Sequence, residues 1–252
     1  AKPTKDELGQ VKHHFIDSNS IQEDISAGKY EKMALEKLKE LFQQYDHLIL
    51  TGGSGLYINA VTEGLAEIPK TDPGLRNTLN KKLKNEGIET LRQELLLLDP
   101  VYYNQVDLQN PQRIIRALEV CLSTGKPFSS FRRKKHKPRF FKTIKIGLNR
   151  PRQALYARIN ERMEKMIEQG LFEEAQKLYS YKDHNALQTV GYKEIFDYMD
   201  GKYDRKEAVR LLKRNTRRYA KRQLTWFGKD EEISWFEPDE IERIIKFIEK
   251  AT

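Results

Sequence analysis

The sequence is short of cysteine and of long apolar runs, and both shortages exclude classes of protein. Cys121 is the only cysteine among 252 residues, so an intrachain disulfide is impossible and a cysteine-based zinc site is not expected. No apolar run approaches the ~18 residues of a membrane-spanning helix. The first residues are polar and do not resemble a signal peptide. We therefore expect no membrane association and a reducing, cytoplasmic setting.

Acidic residues are outnumbered by basic ones. The chain has 37 Asp and Glu against 46 Lys and Arg, a net charge of +9 and a sequence pI of about 9.3. This balance favours a polyanionic partner over a merely soluble basic surface. With 38% hydrophobic residues the chain can bury a core, in one large domain or two small ones.

A glycine-rich turn, Thr51–Tyr57, is the centre of the pattern. The apolar run His47–Leu50 leads into the turn and an apolar-patterned stretch follows it, which predicts strand, turn and helix. Glycine permits a tight backbone path and close approach of a ligand, and a helix start adds unpaired N–H groups. Ser54 contributes a hydroxyl. An anion site and a plain connecting turn are equally compatible with this local sequence.

The surrounding elements predict an α/β fold. A helix over residues 30–45 precedes the predicted strand and glycine turn, and alternation of this kind is typical of a parallel sheet covered by helices. Residues 70–140 are helical throughout, with starts at Asp72-Pro73 and Asn110-Pro111. A strand over residues 143–148 and a helix from Pro151 then resume the first pattern. The predicted divisions are 1–69 and 141–252 for the α/β core and 70–140 for an all-helical insertion domain.

Two stretches concentrate positive charge. Six Lys or Arg lie between Arg132 and Arg139, flanked by four phenylalanines, which suits phosphate contacts and base stacking as well as a solvated loop. A predicted helix over residues 205–227 carries a cation every three or four residues. No acid occurs between Val209 and Gly228, so the sequence predicts that an anion relieves the repulsion.

Arg162 lies at the edge of an apolar stripe on the helix that follows Pro151. An arginine at such an edge either extends along the apolar surface or reaches into a cleft to bind an anion, and local sequence does not decide between these. His13 and His14 are adjacent in a predicted strand, where they point to opposite faces, so a metal site there is not favoured.

Several motifs together carry a resemblance to one family. They occur in family order over nearly the whole chain, and the ordered set is far more specific than any member. On these motifs the chain resembles the tRNA dimethylallyltransferases, also called tRNA isopentenyltransferases. The matching stretches are Ala1–Pro3, Thr51–Ile58, Glu63–Leu65, Asn110–Val120, Thr124–Pro127, Val190–Lys193 and Thr216–Trp226.

The resemblance implies a P-loop NTPase-like parallel-sheet core with an inserted helical domain. It implies transfer of a dimethylallyl group from dimethylallyl diphosphate to N6 of adenosine 37 in tRNA, bound through its anticodon stem-loop. The chemistry needs neutralisation of the leaving diphosphate, for which the resemblance implies Mg²⁺, and a base for the attacking amine. The adenine must also leave the base stack. A cytoplasmic monomer is the expected state.

The resemblance also assigns residues. Ser54 corresponds to the family's Thr or Ser in the glycine turn, near the reacting ends of the two substrates and near the tRNA. Arg162 corresponds to an arginine that binds the diphosphate. This favours the interpretation in which Arg162 reaches into a cleft. Ser54 and Arg162 are the predicted catalytic residues. The predicted tRNA-binding residues are Ser54, Arg76, Gln112, Arg113, Ile114, Ile115, Arg116, Gln188, Thr189, Val190, Gly191, Tyr192 and Lys193.

One family motif is missing from the 252 residues. The family begins with a Gly-x-x-x-x-Gly-Lys-[Ser/Thr] phosphate loop, followed by a segment with an aspartate base, and no Gly-x-x-x-x-Gly-Lys occurs here. We therefore expect any Mg²⁺ ligands upstream of residue 1. We also expect the 252-residue chain by itself to bind tRNA weakly without prenylating it. The alternative hypotheses are a non-catalytic RNA-binding fragment and another P-loop phosphotransferase.

Overall fold

The computed structural model describes residues 5–132 and 137–252, apart from the side chains of Lys5 and Pro73. The described residues form mainly helices, with one small parallel sheet. The helices are α1 Lys5–Gln10, α2 Ala27–Leu41, α3 Gly55–Thr62, α4 Pro73–Glu86, α5 Ile88–Leu98, α6 Pro100–Tyr103, α7 Pro111–Thr124, α8 Phe128–Phe131, α9 Arg152–Glu168, α10 Leu171–Leu178, α11 Tyr192–Met199, α12 Arg205–Phe227 and α13 Ile241–Ala251. The strands are β1 Ile146–Leu148 and β2 Ser234–Phe236, and short 3-10 turns occupy Tyr179–Tyr181 and Asn185–Leu187.

The chain forms two compact units. The first, called here the α/β unit, comprises Ala1–Ile58 and Phe141–Thr252, and the second, the helical unit, comprises Asn59–Phe140. The sequence analysis placed the two boundaries after residues 69 and 140. In the structure the first boundary falls inside α3, before the Ile68-Pro69 linker. Within the described residues, no helix is both long and apolar enough to cross a membrane.

The helical unit is built on α4, α5 and α7. Their facing side chains are completely buried because each helix carries apolar residues at helical spacing. The helix ends follow the predicted signals. Asp72 accepts a hydrogen bond from the Gly74 N–H at the start of α4, Asn110 accepts one at the start of α7, and Gly125 ends α7 with a φ of 65°. The fully buried core residues are Leu91, Leu95, Ile114, Ile115, Ala117, Leu118 and Val120.

A buried carboxylate, Asp99, fixes the remaining helices of this unit. Its side chain is 0% exposed and accepts hydrogen bonds from the Tyr102 N–H at 2.9 Å and from the Ser129 N–H and hydroxyl at 2.7 and 2.8 Å. It therefore caps α6 and binds the first turn of α8. Buried polar atoms must be paired, so this network fixes where the two short helices sit.

The α/β unit combines a parallel strand pair with a core of helices. Strands β1 and β2 run parallel, with Ile146 opposite Ser234 and Leu148 opposite Phe236, which confirms the predicted parallel sheet. The helical core lies among α9, α10, α11 and α12. Its buried side chains are Met163, Leu171, Phe172, Ala175, Leu187, Ile195, Phe196, Ala208 and Leu212.

Two strand predictions are wrong. His47–Leu50 is not a strand, and Ile49 is 93% exposed. The segment at His13–Asp17 is irregular and has positive φ at Phe15 and Asp17, a conformation that a strand does not contain. A strand requires a hydrogen-bonded neighbour, and within residues 5–132 and 137–252 only β1 and β2 pair. The strand predicted over residues 143–148 is present in its second half, as β1.

Candidate functional site

The glycine turn packs against one face of α12. The Gln223 amide Nε2 donates a hydrogen bond to the Gly53 carbonyl at 3.0 Å, and the Ser54 and Tyr219 hydroxyls are 3.5 Å apart. Tyr219, Gln223 and Trp226 follow one another at spacings of four and three, so they share one face of the helix. The structure thus brings together two motifs that lie more than 160 residues apart in the sequence.

Two of the glycines lie directly against α12 at this contact. A Cβ atom at Gly53 would lie 1.8 Å from Gln223 Nε2, and a Cβ at Gly55 would lie 2.2 Å from Trp226 Nε1. By contrast, a Cβ at Gly52 would have nothing within 4 Å. Glycine therefore allows the close approach of α12 at positions 53 and 55, which is its main structural contribution here.

Ser54 is held at the start of α3. Its carbonyl accepts hydrogen bonds from the Tyr57 and Ile58 N–H groups, while its side chain is exposed. The Tyr57 hydroxyl donates to the Ile25 carbonyl at 2.7 Å, and the Tyr57 ring packs on Tyr30 at 5.4 Å. The turn is therefore fixed on two sides, and the Ser54 hydroxyl is presented to solvent from a rigid backbone.

Part of the positive charge on α12 is neutralised within the α/β unit. Lys213 Nζ lies 2.5 Å from a carboxylate oxygen of Glu164 on α9, and Arg210 pairs with Glu207 at 2.6 Å. The sequence predicted that an anion relieves the repulsion along the helix, and carboxylates of the protein itself do so for these two cations. The relief is confined to the first half of α12. In the second half, Arg218, Lys221 and Arg222 form no ion pair with any described residue.

Arg162 lies on α9 with an exposed side chain, beside the buried Met163. Among the described residues it has no hydrogen-bond or ion-pair partner, so its guanidinium is available to an external anion. Nearby on the same helix, Asn160 accepts a hydrogen bond from Arg217 of α12 at 2.6 Å, which joins α9 to α12. The diphosphate role of Arg162 stays a prediction.

In the helical unit, Glu119 joins two of the predicted RNA-binding arginines. Arg76 donates to its two carboxylate oxygens at 2.6 and 3.0 Å, and Arg116 donates to one of them at 3.2 Å. Glu119 is 2% exposed, whereas both arginine side chains are at least 39% exposed. Burial raises the pKa of Glu119, but the bonds from Arg76 and Arg116 outweigh it and the pKa lies below its usual range.

Sequence reasoning missed Glu119. A signal was present, since an acid sits three residues after Arg116 inside an otherwise apolar run, where an unpaired charge is costly. The buried carboxylate orients both guanidinium groups, and both arginine side chains remain partly exposed. Arginines ordered in this way suit phosphate groups. The predicted tRNA contact of Arg76 and Arg116 stays a prediction.

The other residues predicted on α7 divide into two groups. Gln112 and Arg113 are exposed in its first turn. Ile114 and Ile115 are 0% exposed and lie in the core of the helical unit. Packed helices cover these two side chains, and the predicted RNA contact at the two positions stays a prediction. Their contribution is to hold the exposed residues of the same turn in place.

The predicted loop Gln188–Lys193 is fixed mainly by the buried Glu194. This carboxylate accepts hydrogen bonds from the Gly191 N–H at 2.9 Å and from the Asn215 amide of α12 at 2.7 Å. Gly191 has a φ of 112°, which favours glycine strongly. These bonds tie the loop to the same helix as the glycine turn.

Side chains of this loop differ in availability. The Tyr192 hydroxyl donates to Glu174, and burial together with this bond raises the pKa of Tyr192 to about 12. The Gln188 amide donates to the Lys182 carbonyl at 2.6 Å. Thr189 and Lys193 are exposed and Val190 is half-buried. Thr189 and Lys193 are thus the side chains of the range best placed to meet a ligand.

The described residues do not offer a metal site. They contain no group of three or more His, Cys, Asp or Glu side chains that could hold a metal ion. Within the basic stretch near Arg132, residues 133–136 lie outside the described residues, as does the Ala1–Pro3 motif. Lys137 pairs with Glu67, and Arg139 donates to the Ala60 carbonyl at 2.6 Å, so these two cations serve the helical unit.

Comparison with known proteins gives a consistent result. The family model described as IPP transferase matches residues 1–230. A tRNA dimethylallyltransferase of Christiangramia forsetii is 55% identical over 240 residues, covering 95% of this chain and 80% of that protein. One from Cytophaga hutchinsonii is 52% identical over 249 residues, covering 99% and 82%. The chain therefore belongs to the IPP transferase family, a family of prenyltransferases.

Solved structures agree with this assignment. A tRNA isopentenylpyrophosphate transferase from Bacillus halodurans is 36% identical with a TM-score of 0.67, covering 99% of this chain and 81% of that one. A eukaryotic dimethylallyltransferase acting on tRNA has a TM-score of 0.78 over 99% of this chain and 68% of its own. At 21% identity, the second comparison supports the shared fold alone.

A glycine substitution tests the packing of the turn. By helix propensity alone, Gly55→Ala at the start of α3 should stabilise the protein. Because the new methyl group would collide with the Trp226 indole, we expect a loss of about 1–3 kcal/mol, the usual cost of overpacking. Thermal unfolding with tryptophan fluorescence measures this. Gly52→Ala is the matched control and should be neutral; equal behaviour of the two variants would contradict the packing.

A second substitution tests the buried carboxylate. Glu119→Gln should cost about 1–3 kcal/mol of unfolding free energy at neutral pH, since two arginines lose their charged partner. The folded-state pKa of Glu119 is lowered, so this stabilisation is present above the usual glutamate pKa and is lost as pH falls through the lowered value. Urea unfolding of the variant and of the unaltered protein, repeated over a range of pH, measures this difference in unfolding free energy.

The control for that experiment is Glu89→Gln, which removes a carboxylate that is itself 64% exposed from its pair with Arg92. It should change stability by a few tenths of a kcal/mol. If Glu119→Gln behaved like Glu89→Gln, or if its effect did not depend on pH, the proposed charge network would be wrong.

Proposed function

We propose that the protein transfers a dimethylallyl group from dimethylallyl diphosphate to N6 of adenosine 37 in tRNA. Family membership supports this activity. The observation that carries it is the exposed Ser54 hydroxyl, held on a glycine turn against the half of α12 whose cations form no ion pair within the described part of the chain. A rigid hydroxyl next to an electropositive surface suits a diphosphate donor and a polyanionic acceptor.

The reaction defines what the protein groups must do. The bond between the prenyl carbon and the diphosphate oxygen breaks, a bond from that carbon to N6 forms, and N6 loses a proton. Arg162, together with Arg218 and Arg222 of α12, would neutralise the diphosphate as negative charge develops on it. Ser54, hydrogen-bonded to Tyr219, would orient the donor and the adenine. These are positioning and electrostatic contributions.

The tRNA would be held by surfaces in both units. In the helical unit, Arg76 and Arg116 present guanidinium groups ordered by Glu119, and Arg113 lies exposed in the first turn of α7. In the α/β unit, Thr189 and Lys193 are presented by the fixed loop. Contacts of this kind to phosphates position an RNA, while the adenine is selected at the reaction site.

Mg²⁺ belongs to the proposal only through the family resemblance. The residues described here do not form a group able to hold it, so no step is assigned to it. A cytoplasmic monomer remains the expected working form.

The decisive experiment measures prenyl transfer directly. The natural protein, expressed from its own reading frame, is incubated with labelled dimethylallyl diphosphate and tRNA, and the digested tRNA is analysed by mass spectrometry. We expect the label on the adenosine at position 37 and none on a tRNA with guanosine there. A phosphotransferase would move phosphate instead, and a non-catalytic RNA-binding protein would retain tRNA without labelling it. Either result would overturn the proposal.

Two arginines on α9, one substituted as the test and the other as the control, probe the binding site for dimethylallyl diphosphate. Arg162→Ala should raise the KM for dimethylallyl diphosphate about tenfold or more, because a charge-assisted contact to the diphosphate is lost, and should leave tRNA affinity unchanged. Arg158→Ala, an exposed arginine four residues earlier on the same helix, is the control. Steady-state kinetics with each substrate varied measure both. Unchanged donor kinetics in Arg162→Ala would remove Arg162 from the site.

A further inference from the structure

Three polar side chains of the α/β unit, Tyr179, Lys182 and Asp200, form a closed network where α10 and α11 end. The Lys182 ammonium lies 2.5 Å from an Asp200 carboxylate oxygen and donates a hydrogen bond to the Tyr179 hydroxyl at 3.1 Å. The Tyr179 hydroxyl donates to the same carboxylate oxygen, and the ammonium lies 4.5 Å from the centre of the Tyr179 ring. The bond between Lys182 and Asp200 raises the pKa of Lys182 and lowers that of Asp200, so both are charged at neutral pH.

The ion pair between Lys182 and Asp200 closes a segment of the chain. The two residues are 18 positions apart, and the residues between them include the Gln188–Lys193 loop and the whole of α11. A link between the ends of a segment reduces the number of conformations open to the residues inside it. The pair therefore restricts the loop that was predicted to bind tRNA.

The network also contacts both ends of this loop. At its start, the Gln188 amide donates a hydrogen bond to the Lys182 carbonyl at 2.6 Å. At its other end, the Tyr192 ring stacks on the Phe196 ring, with 6.1 Å between their centres. Phe196 is 3% exposed, and the Tyr179 ring packs edge-on against it at 6.0 Å. One member of the network thus supports the first residue of the loop, and another supports Tyr192 through a buried ring.

Lys182 is poorly suited to bind phosphate itself. Its ammonium is committed to Asp200 and Tyr179, and an RNA phosphate would have to displace a carboxylate to reach it. The Lys182 and Asp200 side chains are 30% and 24% exposed, so water screens their attraction only in part. These contacts suit a role in holding the loop more than a role in direct binding.

We propose that Lys182 and Asp200 are positioning residues for tRNA, whose ion pair holds the Gln188–Lys193 loop in the conformation that meets the RNA. The proposal rests on the proposed function, because it takes this loop to be a tRNA contact. A loop that is already ordered loses less conformational entropy when a partner binds, so the pair strengthens tRNA binding without touching the RNA.

Two substitutions in the natural protein break the pair with opposite changes in net charge. Lys182→Met removes a positive charge, whereas Asp200→Asn removes a negative one. If Lys182 bound phosphate directly, Asp200→Asn would strengthen tRNA binding, because it frees a cation. We expect both variants to weaken tRNA binding about threefold, the scale of one partly exposed ion pair, and to leave the KM for dimethylallyl diphosphate unchanged. Fluorescence anisotropy with a labelled anticodon stem-loop and steady-state kinetics measure these two quantities.

Hydrogen–deuterium exchange of the free protein measures the loop itself. Backbone amides of residues 188–193 should exchange faster in both variants, while those of α7 in the helical unit should not change. The matched control is Asp197→Asn, which makes the same change of charge. The Asp197 side chain is also 24% exposed and pairs with Lys202. This control should leave loop exchange and tRNA affinity unchanged.

Three results would overturn the proposal: unchanged loop exchange in both variants, tRNA binding by Asp200→Asn as tight as that of the unaltered protein, or equal effects of Asp197→Asn and Asp200→Asn. Failure of the proposed function would look different. The unaltered protein would then leave tRNA unlabelled, while exchange of the loop and binding of the stem-loop would still respond to the two substitutions. An unaltered protein that does not bind the stem-loop would overturn both proposals.

Discussion

The α/β unit depends on the close approach of α12 to the glycine turn. Gln223 and Trp226 occupy the space that side chains at positions 53 and 55 would fill, and the Gln223 amide bonds the turn's backbone. This contact fixes the Ser54 hydroxyl beside Tyr219 and lays the turn along the half of α12 whose cations have no acidic partner among residues 5–132 and 137–252. The packing of α12 against the turn and the positive charge of α12 therefore both shape the surroundings of Ser54.

Buried carboxylates organise the remaining surfaces. Glu119 orders two arginines in the helical unit, and Glu194 fixes the Gln188–Lys193 loop to Asn215 of α12 in the α/β unit. In each case a buried carboxylate bonds to groups nearer the surface, so the desolvated acid sets the geometry of those groups. Pre-organised cations and loops reduce the entropy lost when a polyanion binds.

Much of the helical unit could be predicted from the sequence, because its signals are local. Asp72, Asn110 and Gly125 mark helix ends through their own side chains or backbone, and apolar spacing identifies the buried faces. The prediction of a strand at His47–Leu50 was wrong because strand pairing depends on a distant neighbour, which local sequence does not reveal. The same holds for the role of Gly53 and Gly55, because residues near position 223 impose it. Glu119 was missed because its importance comes from Arg76, 43 residues away.

The central claim is that the glycine turn faces the reaction site. Protection of position 54 from chemical modification by bound substrate tests this claim most directly. Ser54→Cys introduces a second thiol, and the native Cys121 is 4% exposed with a pKa raised by burial, so it is expected to react slowly. The rate of alkylation at position 54 is then measured with and without saturating dimethylallyl diphosphate or tRNA. The account predicts that each substrate slows the reaction severalfold. An unchanged rate with both substrates would show that the glycine turn does not face the reaction site.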